Sequence, residues 1–114
     1  MTNQEIAKCN KVVDLFKDML DKKQDMCLLY SHDFGVVVLE YFQSGGFERN
    51  TVYANAESLF QHLLNKWKFT WIIEHKKESG IDEFDEFVEL MPENLKNEFE
   101  QQVEYFEQKY AQIV

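Results

Sequence analysis

Apolar residues recur along this chain in two rhythms, one helical and one extended. Ile6, Cys9, Val13, Phe16 and Leu20 stand three and four residues apart, and Val12, Leu15 and Met19 widen the same stripe. Thr2-Asn3-Gln4-Glu5 ahead of them is a capping-box pattern, a Thr followed three residues later by a Glu. The spacing predicts an amphipathic helix from about Asn3 to Lys22. Lys22 and Lys23 would suit the negative end of its dipole.

The rhythm then changes. Met26–Tyr30 and Val36–Phe42 are rich in β-branched and aromatic residues and read as strands. Ser31-His32-Asp33-Phe34-Gly35 between them has turn chemistry, so a hairpin is expected. Gln43-Ser44-Gly45-Gly46 is a second turn, and Phe47–Tyr53 a third strand. The three would make an antiparallel meander with one apolar face in need of a cover.

Helical spacing returns after Asn55, a residue able to cap. Leu59, Phe60, Leu63, Leu64, Trp67 and Trp71 form a stripe. Trp67, Phe69, Trp71 and Ile73 also alternate as a strand would, but no Gly or Pro interrupts Ala54 to Ser79. One long helix over about Ala56 to Lys77 is therefore expected, with Gly80 as its stop. Ile81–Met91 reads as a short helix with Phe84, Phe87, Val88 and Met91 inward. Pro92 fits the first turn of a last helix, whose buried stripe is Leu95, Phe99, Val103, Phe106, Tyr110 and Ile113.

The predicted fold is a single α+β domain over residues 1–114, in the order α-β-β-β-α-α-α. It has an N-terminal helix, a three-stranded meander and two to three C-terminal helices packed on one face. Hydrophobic content of 45% and aromatic content of 15% argue against disorder.

Charge sharpens this picture more than composition does. Gly80 to Val114 holds ten carboxylates against Lys96 and Lys109, a net −8 of the chain's −9. Residues 81–114 are thus an acidic helical part. Such a balance speaks against direct binding to nucleic-acid phosphates or anionic membranes, which call for basic surfaces. The longest apolar runs, Val36–Leu39 and Trp71–Ile73, are far short of the roughly 20 residues that span a bilayer. Met1–Lys8 lacks the apolar core of a signal peptide, and Cys9 and Cys27 form no metal or redox motif. A cytoplasmic, reduced protein is expected.

Candidate chemistry is thin. Asp33-Phe34-Gly35 matches three letters of a kinase motif without its partners and reads as a turn. His32 beside Asp33 could pair a base with an orienting carboxylate, but no nucleophile is placed near it. His62 and His75 are thirteen residues apart, roughly 140° out of phase on one helix, and cannot share a metal. No cofactor, metal or catalytic set is expected. Trp67, Phe69 and Trp71 with Lys66 and Lys68 resemble a stacking platform for single strands, yet read better as core. Phe69 and Ile72 would be an apolar interface patch if they lie outside it.

The reading that follows is a non-enzymatic interaction module, of the inhibitor or immunity type, docking on a basic partner surface. Asp82, Glu83, Asp85, Glu86, Glu93, Glu100, Glu104 and Glu107 would carry it. The alternative is an apolar-ligand domain with a pocket lined by Tyr41, Tyr53, Trp67 and Trp71. A homo-oligomer stays open, because the stripes of the first and last helices are wide.

Overall fold

The computed structural model describes residues 2–22, 26–31, 35–41, 47–53 and 55–114, with side chains over 2–22, 51–53 and 55–114. The elements are α1 (Asn3–Leu15), α2 (Lys17–Lys22), β1 (Met26–Ser31), β2 (Gly35–Tyr41), β3 (Phe47–Tyr53), α3 (Ala56–Ser79), α4 (Phe84–Leu90) and α5 (Glu93–Ile113).

Local chemistry sets most of the helix ends. Thr2 Oγ1 accepts the Glu5 N–H at 3.1 Å, the first half of the capping box. The second half goes elsewhere: Glu5 Oε1 accepts the N–H of Ala56, the first residue of α3, at 2.9 Å. Asn55 Oδ1 caps the same helix through the Ser58 N–H at 2.8 Å. Gly80 ends α3 with φ +80°, a left-handed cap that a β-carbon disfavours. Residues 67–73 are therefore helix, which settles the ambiguity in their pattern.

The helix expected over Asn3–Lys22 is two segments. Phe16 closes α1 with a tightened turn, its N–H bonding Val13 O at 3.1 Å, and α2 resumes through Leu20 N–H to Phe16 O at 2.9 Å. The tightening falls where Phe16 enters the core, stacked on Phe106 at 4.6 Å and tilted against Phe60 at 5.9 Å.

The expected layering is also corrected. Among residues with described side chains, the buried core is built from helices alone. Cys9, Val12, Phe16 and Met19 come from the α1–α2 arm, Leu59, Phe60, Leu63 and Leu64 from α3, and Phe106 from α5. Among these residues helix packs on helix, in place of the expected stacking on one face of a sheet. An amphipathic stripe states that one face is buried; it does not state against what, and here the three long stripes bury one another. Each fully buried Phe or Leu contributes about 1.5–3 kcal/mol.

The extended segments lie beside this core. Their backbones pair antiparallel in the order β1-β2-β3, with Leu28 opposite Val38 and Val38 opposite Thr51. β3 is the strand that lies against α3, and Tyr53 packs at the core's edge. The turns expected within Ser31–Gly35 and at Gln43–Gly46 fall on residues 32–34 and 42–46, which, like the side chains of Cys27 and Tyr41, lie outside the described residues.

The arm α1–α2 runs parallel to α3. Glu5 meets Ala56 at one end, and Met19 and Lys22 flank Trp67, Trp71 and Glu74 at the other. α5 runs antiparallel to α3, pairing Tyr110 with Phe60 at 4.2 Å and Phe99 with Trp71 at 5.1 Å. α4 lies against α3 with Phe87 buried. Val88, expected inward, is 43% exposed, because a seven-residue helix on a single partner can bury only one side of its apolar arc. Among the described residues no helix is long and apolar enough to cross a membrane.

Candidate functional site: an acidic surface on the last two helices

Gly80 turns the chain out of α3, and two polar side chains pin the turn. Ser79 Oγ donates to Lys76 O at 2.7 Å and accepts the Ile81 N–H at 3.1 Å. Lys76 Nζ donates to the backbone carbonyl of Asp82 at 2.7 Å. The lysine thus bonds the backbone, and among the described residues the Asp82 carboxylate is in no ion pair. Glu83 then precedes α4, whose first turn carries Asp85 and Glu86, the charge sign that a helix N-terminus favours. Pro92 ends the next link: its ring disfavours helical backbone at Met91, whose ψ is 127°, which separates α4 from α5, and its carbonyl accepts the Lys96 N–H at 3.0 Å.

All eight carboxylates named from the sequence are exposed. The four on α5 are brought together. At 100° per residue, Glu93, Glu100, Glu104 and Glu107 fall within about 60° of helix rotation. Lys96 lies at the edge of that arc, and Lys109 is turned away, its Nζ 5.8 Å from the Tyr105 ring. The four nearer the start are divided, with Asp82 and Glu83 in the link and Asp85 and Glu86 on α4. Among the described residues none of the eight is in an ion pair; the pair formed is Lys8–Glu5 at 3.9 Å. Glu104 accepts a hydrogen bond from Gln108 Nε2 at 3.2 Å.

The other candidates disperse. His32 lies outside the described residues. His62 Nδ1 and Tyr53 Oη share a 2.6 Å hydrogen bond beside a hollow of about 460 Å³ that Thr51, Asn65, Lys66 and Phe69 also line. His75 is on another side of α3, stacked on Trp71 at 3.8 Å. Its Nδ1 donates to Trp71 O at 2.9 Å, which leaves Nε2 as the lone-pair nitrogen of the neutral ring. Cys9 is buried; burial pushes its thiol pKa up, and the Glu5 carboxylate adds to the effect.

The ring cluster splits as well. Trp67 packs edge-on to Phe106 at 5.0 Å and Trp71 is buried against Phe99 and His75, whereas Phe69 is 57% exposed and stacks on Phe84 at 5.8 Å. Tyr53 lines a different hollow from Trp67 and Trp71, and Tyr41, the fourth residue expected in that pocket, has its side chain outside the described residues.

Sequence reasoning missed one feature. The end of α3, α4 and the start of α5 enclose a groove of about 370 Å³ walled by Ile81, Phe87, Leu90, Pro92 and Leu95. Its signal was the apolar arc of α4, which runs from Leu90 past Phe87 to Val88 and is too wide for one contact. No protein-family model, curated protein or solved structure matches the chain.

Proposed function

We propose that this chain is a non-enzymatic interaction module that docks on a basic surface of a partner protein, as small inhibitor or immunity-type proteins do. The observation that carries the reading is the α5 stripe: four exposed carboxylates on one arc, none neutralised by a cation of the described residues. Glu100 and Glu104 are a like-charge i,i+4 pair, a pattern that destabilises a helix by about 0.2–0.5 kcal/mol. A field of one sign on a rigid element raises encounter rates with an opposite charge by about 10–10³-fold and weakens as salt shortens the Debye length. Asp82, Glu83, Asp85 and Glu86 extend the same charge onto α4 and its approach.

The experiment compares the native chain with Glu100→Lys/Glu104→Lys/Glu107→Lys as bait in a native lysate, at low and raised salt. A basic protein held by the native chain at low salt, and released both by salt and by the triple change, is the expected result. Equal retention by the triple variant, or no specific capture at low salt, refutes the reading. Circular dichroism of the variant controls for folding, since all three positions are exposed.

A further inference from the structure

The groove beside α4 gives the acidic surface an apolar floor. Phe87 forms its base, and Leu90, 62% exposed, stands at its rim. Ile81, Pro92 and Leu95 close its sides, and His75 and Glu78 lie at the α3 end. A volume of about 370 Å³ is near the low end of ligand pockets, of the order needed for one or two large side chains.

Charge selects the occupant. From His75 to Leu95, the stretch that builds this groove, there are seven carboxylates against two lysines, Lys76 and Lys77. Glu78 lines the groove itself, Asp82 follows Ile81, Glu89 precedes Leu90 and Glu93 follows Pro92. Lys76 donates to the Asp82 carbonyl, and neither lysine is among the residues that line the groove. A second copy of this chain, at net −9, would meet like charge here, and so would nucleic acid or an anionic membrane. A neutral apolar molecule would fill the floor and leave the surrounding charge unanswered.

We infer that this groove seats an apolar anchor of a cationic amphipathic helix from a partner protein, with the partner's Lys or Arg meeting the flanking carboxylates. The inference rests on the proposed docking function and deepens it, because it names the partner's binding element. Helix-in-groove recognition takes its affinity from the anchors and its orientation from the charges around them. Leu90 would be covered on binding.

The test uses two labelled peptides of identical Leu and Lys composition, one ordered so that the leucines form a helical stripe, the other shuffled to destroy it. Both are titrated by fluorescence anisotropy against the full native chain and against Leu90→Ser, a change at an exposed position. The striped peptide is expected to bind the native chain about tenfold or more tighter than the shuffled one, the size of effect that burial of one large apolar side chain gives. Leu90→Ser should weaken the striped peptide several-fold and leave the shuffled one unchanged. Equal binding of both peptides, indifferent to Leu90→Ser, overturns the groove while leaving the acidic docking surface standing. No binding of either peptide at low salt overturns both.

Discussion

Glu5→Ala is the substitution that most directly probes how the helices are held together. Glu5 Oε1 accepts the Ala56 N–H at 2.9 Å across 51 residues of sequence. Ala56 is 1% exposed, so without Glu5 its N–H loses its acceptor with little access to water. A buried donor left unsatisfied costs about 1–3 kcal/mol. The carboxylate also faces the positive end of the α3 dipole, a further contribution of about 0.3–1 kcal/mol. The Lys8 contact at 3.9 Å is between partly exposed side chains and contributes roughly 0–1 kcal/mol, so it does not decide the result. Glu5→Ala should therefore lower stability by about 1.5–3.5 kcal/mol, read as a shifted urea midpoint at constant slope. Glu5→Gln keeps an acceptor oxygen and should lose less than about 1 kcal/mol. Hydrogen exchange supplies the local readout: the Ala56 amide should lose protection in Glu5→Ala by more than its neighbours in mid-α3. If Glu5 instead served its own helix as a capping-box partner, the Ala56 amide would be unmoved. A stability change below about 0.5 kcal/mol with unchanged Ala56 exchange refutes the inter-helix cap.

Other changes probe the core, the turn and the thiol. Phe106→Ala removes a ring stacked on Phe16 and edge-on to Trp67, and should destabilise by about 3–5 kcal/mol in the same urea assay, with altered tryptophan emission. Gly80→Ala meets no atom within 4 Å of the added carbon, so its cost of about 1–2 kcal/mol is purely the left-handed backbone, and Gly80→Asn should recover part of it. In a Cys27→Ser background, Cys9 should resist thiol reagents until the chain unfolds. Burial raises the Cys9 thiol and the Tyr110 phenol above their ordinary values; Glu5 adds to the first, and Glu57, Glu5 and Cys9 to the second. Both groups favour the protonated native state, so their contribution is full below the unfolded-state values and falls as pH rises through the alkaline range. Glu5→Ala should lessen that alkaline loss in pH-dependent urea melts.

What the sequence reveals here is local, and what it hides depends on contacts between distant elements. The ends of α3 were legible because Asn55 and Gly80 act on residues within one turn of themselves. The stripes of α1 and α5 were legible because the 3.6-residue period is imposed by the backbone, and the same period places the four α5 carboxylates together. Glu5 misled because its spacing from Thr2 satisfies a local motif, while its carboxylate is captured by a helix end that only packing brings near. The inward place expected for Val88 failed because the apolar arc of a seven-residue helix is wider than the side it can bury. The groove depends on three elements at once and has no period of its own.

The parallel run of α1–α2 beside α3 constrains how this chain can be rewired. Consecutive helices joined by a short loop become antiparallel neighbours, yet here the chain leaves Lys22 at one end of the pair and re-enters at Asn55 at the other. Something must carry it back along the helices. Between Glu5 and Met19 the axis rises about 21 Å, and the seven extended residues of β3 alone reach about 23 Å. β3 follows that path: Thr51 lies beside Phe69 and Lys66, Tyr53 bonds His62, and Asn55 opens α3. Extended backbone covers the return in less than half the residues a helix would need. Trimming residues 23–54 to a tight loop would reverse α3 and separate Glu5 from Ala56, so a minimal version of this protein must keep a return path of that reach.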